Sequence, residues 1–315
     1  MIKTLWKVEL LNSHLGSHRP VYEPQNHSVY VSDGWGAFYA AIRLRKLSLE
    51  NGQETNSVLL RDTPNCLCFP KDQQTIIVAL GKRIVEVDRK NLKVLNQWKV
   101  GVPQYCQYIN MSEKTLLLMN WARPNLSLYD LNTSKAHKKK IGFCKGIFRI
   151  DEGDFLVCTG KDGIVWRYSV DSGHLQKLLN TPQFNHARIN NKKSKLILTL
   201  GNPHEITSNH VAQYNEFRKI RVYDLTDMSF KEFDTPTEYD YLEIDDDGAV
   251  YYFSRKTGIY ICVEKDGQLE KIMSENLPDS SETILIIPDC SMALSVIPSR
   301  KGYTSTLYGI KFDVR

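Results

Sequence analysis

The chain has 315 residues, 42% hydrophobic and 24% charged, and its 41 basic and 36 acidic side chains leave a formal charge of +5. That apolar content supports a packed core and excludes a disordered chain, while the charge is too mild to indicate a nucleic-acid binder from the total alone. No run approaches the roughly eighteen apolar residues that a membrane-crossing helix needs.

The first element is an orphan strand, TLWKVEL (4–10). Lys7 and Glu9 interrupt its apolar character and no small-residue cleavage site follows, so it does not read as a secretory signal. The expectation is a soluble, cytoplasmic protein. The seven cysteines agree with that compartment: their number is odd, and Cys66, Cys68, Cys106, Cys158 and Cys262 lie in apolar, strand-like runs. No Cys-x-x-Cys pair occurs, so no metal site of the usual spacing is expected.

From there a proline-marked turn recurs: SHRP ending at Pro20, RDTP at Pro64, VGVP at Pro103, LNTP at Pro182, FDTP at Pro236 and ENLP at Pro278, with KIGF and Gly142 filling the gap. The intervals are 44, 39, 39, 40, 54 and 42 residues. Each turn is followed by a short strand, a polar turn and a strongly apolar run: HSVYVS (27–32), TIIVAL (75–80), TLLLMN (115–120), FLVCTG (155–160), LILTLG (196–201), VYYFSR (250–255) and ALSVIP (293–298). Their β-branched and aromatic content suits strands covered on both faces. A third, alternating strand follows in each unit, as in RIVEVDRKNL and KIRVYDLTDM, and then a more polar fourth, as in VLNQWKV (94–100).

A period near forty built of short strands predicts an all-β, seven-bladed β-propeller of four-stranded antiparallel blades. Its blades fall near 19–62, 63–101, 102–141, 142–180, 181–234, 235–275 and 276–315. The last unit stops after three strands, so residues 4–10 are expected to supply its fourth.

KIRVYDLTDM, NLSLYDLNTS and IVWRYSVDSG resemble the third strand of WD-repeat blades, with Tyr-Asp or Tyr-Ser in place of Trp-Asp. IDDDGAVYYFS resembles the second strand of YVTN-like and quinoprotein-like propellers. The resemblance covers the whole chain but is generic. The Gly-His dipeptide that opens true WD repeats is missing from the openings of these units, so their His-Asp network is not expected. What the resemblance implies is a fold without a particular activity.

In this strand order the proline turns and the loops joining second and third strands share one end of the blades. Those loops carry Lys82 and Arg83, Arg123, Lys161, Arg218, Arg255 with Lys256, and Arg300 with Lys301, while the first blade offers Trp35 and Trp121 lies near the same rim. The opposite turns hold many carboxylates, among them Glu23, Asp154 and Asp245 to Asp247. A basic, aromatic end would draw an anionic partner, and a protein with an acidic segment is the expected one. Nucleic acid is a weaker alternative.

The fifth unit is about fifteen residues longer than the others, the excess lying in 201–218. That segment holds His204 and His210 and is expected to set specificity rather than to bind metal. The rival reading is a hydrolase or lyase in the axial mouth, with His186, Asp240 and Glu282 as acid–base candidates. Phosphate-binding glycine loops and the Gly-x-Ser-x-Gly elbow are absent, so no cofactor is expected.

Overall fold

A computed structural model describes residues 2–11, 20–33, 42–62, 64, 66–69, 74–80, 83–100, 105–110, 115–120, 123–151, 153–201, 219–235, 241–254, 258–275, 283–298 and 304–312. The opening strand is β1 (Ile2–Leu10). A first sheet follows as β2 (Val21–Glu23), β3 (Ser28–Asp33), β4 (Arg43–Ser48) and β5 (Glu54–Leu59), and a second as β6 (Cys66–Cys68), β7 (Thr75–Ala79), β8 (Arg83–Asp88) and β9 (Val94–Lys99). The third comprises β10 (Tyr105–Asn110), β11 (Thr115–Asn120), β12 (Arg123–Asp130) and β13 (Lys135–Lys140). The fourth comprises β14 (Cys144–Asp151), β15 (Asp154–Thr159), β16 (Ile164–Ser169) and β17 (Leu175–Asn180). Next come β18 (Phe184–Ile189), β19 (Lys195–Leu200), β20 (Lys219–Asp224) and β21 (Phe230–Asp234) in the fifth sheet. The sixth has β22 (Tyr241–Ile244), β23 (Val250–Ser254), β24 (Gly258–Lys265) and β25 (Gln268–Glu275). The last has β26 (Thr283–Ile287), β27 (Met292–Pro298) and β28 (Ser305–Phe312), with β1 as its outer strand. The fold is an all-β, seven-bladed propeller of four-stranded antiparallel blades.

Contacts group the chain into two compact units: residues 1–118, 128–137 and 277–315, and residues 119–127 with 138–276. In the first unit, Leu10, Val29, Val31, Leu47, Leu294, Val296 and Leu307 form one apolar layer, and Tyr30, Leu44, Ile76, Val78 and Val85 form another. In the second unit, Leu156, Val165, Phe184, Leu196, Leu198 and Tyr223 pack together, as do Ile197, Ile220, Leu242, Val250 and Tyr252. Second strands such as β7 and β15 are buried at nearly every position, whereas the outer strand β9 is largely exposed and β17 is exposed in stretches, with Leu179 buried. Stacked sheets cover both faces of a central strand, which explains the unbroken apolar runs of the sequence.

The N-terminal strand closes the last blade as expected. β1 pairs with β28 antiparallel from Ile2 opposite Phe312 to Leu10 opposite Ser305. Trp6 anchors it: the indole is buried, and its Nε1–H donates to the Leu49 carbonyl at 2.8 Å. Trp6 faces Gly309 across the ladder, where a Cβ would meet the indole at 2.1 Å, so only glycine leaves room for the ring. Beyond the strand, the buried Asp33 carboxylate accepts from the Leu11 amide and from both Arg43 and Arg45. Arg45 also donates to the Glu9 carbonyl at 2.8 Å.

The Tyr-Asp and Val-Asp pairs at the ends of third strands acquire a local purpose. Asp88 Oδ1 accepts from the amides of Lys90 and Asn91, Asp130 Oδ1 from Asn132 and Thr133, and Asp224 Oδ1 from Thr226. A carboxylate capping its own hairpin in this way is the Asx-turn. Hydrogen bonds from the Thr133 and Thr226 hydroxyls hold the Asp130 and Asp224 carboxyls below the usual carboxylate range.

The carboxylates of the opposite turns are less available than their positions in the sequence imply. Glu23 is buried, taking the Tyr30 hydroxyl at 2.9 Å and lying 3.3 Å from Arg89 Nε. Asp245 is engaged by the Asp247 and Ala249 amides and the Tyr251 hydroxyl, which accounts for the Asp run as a hairpin. Asp246 bridges to the neighbouring hairpin, accepting from Asn190 Nδ2 at 2.9 Å and the Lys192 amide at 2.8 Å.

Removing the Trp6 side chain is expected to cost about 3–5 kcal/mol, the range for a buried aromatic, and Gly309→Ala about 1–3 kcal/mol by overpacking. The two effects should not add: Gly309→Ala should be nearly silent in a Trp6→Ala background, because the clash partner is gone. A double-mutant cycle by chemical denaturation measures this, and additive losses would mean that Gly309 is needed for another reason.

Candidate functional site

The described residues concentrate unusual chemistry at the starts of β14 and β18. Both strands carry a bulge at the same repeat position. The register jumps between Cys144 and Gly146 opposite β15, and between Phe184 and His186 opposite β19. Lys145 and Asn185 are therefore the extra residues, forty positions apart, and a bulge re-aims the side chain of the residue it inserts. The two side chains meet: Lys145 Nζ donates to Asn185 Oδ1 at 3.2 Å.

The surroundings lock this arrangement. Cys144 Sγ bridges its own bulge, 3.0 Å from the Gly146 carbonyl and 3.3 Å from the Gly146 amide. Burial pushes the Cys144 thiol up to about 12, so it stays protonated and is not a nucleophile at neutral pH. Across the second bulge the His186 amide donates to the buried Thr199 hydroxyl at 2.8 Å. The turn at 160–163 is clamped by the chain leading into β18: the Phe184 amide donates to the Gly160 carbonyl, the Thr181 amide to Gly163, and Gln183 Nε2 to Lys161. A Cβ at Gly160 would lie 2.1 Å from the Phe184 carbonyl oxygen and 2.7 Å from Lys145 Cγ. Glycine at this position lets the lysine stem lie flat on the turn.

Lys145 is the electrostatic anomaly of the site. Burial holds its ammonium below the usual lysine range, the neighbouring Cys144 acting the other way, and among the described residues no carboxylate pairs with it. Compare Glu23 with Arg89, or Asp33 with Arg43 and Arg45, where each buried charge has its counter-charge. A half-buried cation satisfied by one amide oxygen is a ready receptor for an anion.

The remaining expected site residues fall as follows. Lys161 is exposed at the tip of the clamped turn. His186 is half-buried beside Asn185, its Nε2 3.5 Å from Asn185 Nδ2. Arg83, at the start of β8, already directs its guanidinium to Gln97 Oε1 and the Leu60 carbonyl. Arg123 opens β12. Trp35, Lys82, Trp121, His204, His210, Arg218, Asp240, Arg255, Lys256, Glu282, Arg300 and Lys301 lie outside the described residues. Lys145 and Asn185 both read from the sequence as polar first residues of innermost strands; their direct contact is not readable there, because a bulge is invisible in composition.

Three solved structures place this geometry among known folds. The WD40 domain of Neurospora crassa Pan2 superposes with a TM-score of 0.70 at 9% identity, covering 100% of this chain and 97% of that one. The fold is that of the WD40 propellers. The Myceliophteria thermophila Cps50 (Swd1) β-propeller domain matches with a TM-score of 0.68 at 10% identity, covering 98% of this chain and 100% of that chain. A Kuenenia stuttgartiensis hydrazine synthase chain matches with a TM-score of 0.65 at 11% identity, covering 94% and 96%. At such identities the likeness to WD40 propellers is one of fold alone. No protein-family model matches the chain, nor does any curated protein.

Because the folded ammonium of Lys145 loses its proton below the ordinary lysine value of about 10.4, the unfolded chain binds more protons in that window. Stability should therefore rise with pH between the depressed folded value and the ordinary one. Lys145→Met removes this dependence. The variant should melt no lower than the wild type at neutral pH, and the difference between the two should shrink as pH rises towards 10. A Met variant that melts well below wild type at pH 7 would show that the ammonium has a stabilising partner.

Proposed function

We propose that this propeller is a non-catalytic binding scaffold that takes an acidic segment of a protein partner at the inner ends of the fourth and fifth sheets. The observation that carries the reading is Lys145, a half-buried cation whose partner among the described residues is the neutral amide of Asn185. A partner carboxylate reaching the Lys145–Asn185 pair would supply the counter-charge that the described residues do not, and Lys161 at the adjacent turn would hold a second acid. His186, beside Asn185, would act as a polar contact and not as an acid–base group.

Two further observations support this. The WD40 propellers that share the fold suggest a protein-interaction role. The segment 201–218 joins the end of β19 to the start of β20, and Phe184 pairs with Leu200, so the longest insertion leaves the sheet beside the same bulge. We assign it the part of setting partner choice. Pairing a partly buried cation gives more specificity than an exposed one, because solvent and salt screen it less.

The test uses acidic peptide arrays and solution titration with the intact chain, Lys145→Met, Lys161→Glu and a deletion of 203–216. Lys145→Met should weaken an array-selected acidic peptide at least tenfold, about 1.4 kcal/mol, without lowering the melting temperature. Lys161→Glu should weaken it less, and mainly at low salt. Peptide binding unchanged by Lys145→Met would refute the assignment of this site.

A further inference from the structure

The outer strand of the third sheet differs from every other outer strand. β13 reads KAHKKK, carrying four lysines and a histidine in six residues, and all six are exposed. The other outer strands are nearly neutral: β1 and β9 carry a net +1, β17 +1, and β5, β21 and β25 a net −1. A lysine or two on an edge strand is an ordinary defence against edge-to-edge pairing. The six sister strands manage their edges without a charge run, so defence does not account for +4 on one of them.

The edge of β13 also remains open. β13 is the terminal strand of its sheet, and among the described residues no strand pairs with its outer side. Lys139 is committed, donating to the Gly173 carbonyl of the neighbouring hairpin. Lys135 acts on the Asp130 carboxylate that precedes the strand, while among the described residues no carboxylate forms an ion pair with Lys138, Lys139 or Lys140. Alternation along the strand puts Lys135 and His137 on one face and Lys138 and Lys140 on the other. The cations therefore straddle the sheet plane.

We infer that β13 is a docking edge for an extended, acidic peptide segment of a partner protein, which adds alongside it as a fifth strand. An added strand places side chains on both faces, each about 5 Å from its opposite number, and so meets both rows of lysines at once. Its backbone would fill the open row of hydrogen-bonding groups. A nucleic acid fits less well. A phosphate chain would approach one face only, and β13 has no Phe, Tyr or Trp on which a base would stack. This edge is separate from the Lys145 site and does not depend on it.

The probe is a fluorescein-labelled peptide repeating Thr-Glu-Glu, read by fluorescence anisotropy against the full chain. Its partners are the same peptide N-methylated at alternate backbone positions, and a labelled oligouridylate of equal charge. The expected result is saturable binding of the plain peptide, weakened at least tenfold by Lys138→Glu with Lys140→Glu and at least tenfold by backbone methylation. Lys177→Glu, a charge reversal on the outer strand β17, should bind it as the wild type does, which shows that the lysine run of β13 and not any outer-strand lysine is read. Should the charge-reversed variant lower the melting temperature, Lys138→Gln with Lys140→Gln serves in its place, with a loss of at least threefold. Absence of binding, equal binding of the methylated peptide, or tighter binding of the oligouridylate would each overturn the inference.

Discussion

Everything in this architecture depends on the antiparallel pairing of β1 with β28, which joins residues 2 and 312 across almost the whole chain. Bringing together ends so far apart costs on the order of 5 kcal/mol of loop-closure entropy, and the cost grows only slowly with length. Burial of the Trp6 indole is worth a comparable amount by itself. Leu10, packed in the same layer, the ladder to Ser305 and the clamp of Asp33 on the Leu11 amide then bring the balance in favour of closure. A closing strand made only of polar residues would not hold.

Once the last sheet is complete, the remaining forces are repetitive. Second strands are sealed between neighbouring layers and carry the apolar load, while outer strands meet water and stay polar. Hairpins at one end are tied by carboxylates to their own amides, at Asp88, Asp130 and Asp224. Several acids that would otherwise colour that end are consumed by the fold, Glu23 by Tyr30 and Arg89, Asp246 by Asn190. The outer edges, largely in water, carry fewer such structural demands.

Charge balance separates the two kinds of residue. Arg43, Arg45 and Arg89 are held against carboxylates and belong to the scaffold. Lys145 and the β13 lysines Lys138, Lys139 and Lys140 form no ion pair with a carboxylate among the described residues, for two different reasons. Lys145 is half-buried by a bulge and lies against Gly160, with the Asn185 amide oxygen as its partner among the described residues. The β13 lysines are in water, where leaving them unpaired is cheap and where their number, not their burial, sets them apart.

Period, strand order and the closing role of residues 4–10 were legible in the sequence, because a repeating blade must bury the same face at the same interval. The apolar runs at 75–80 and 155–160 fall within one residue of β7 and β15 for that reason. Side-chain pairing was not legible. Glu23 reads as a surface acid in a polar turn and is buried, since only the neighbouring sheet brings Arg89 above it. Lys145 and Asn185 are ordinary polar residues forty positions apart until two bulges turn them toward each other. The sequence by itself determined the propeller, through the periodicity of burial; tertiary structure alone decided which charges are neutralised and which remain, because that depends on contacts between sheets that no local pattern records.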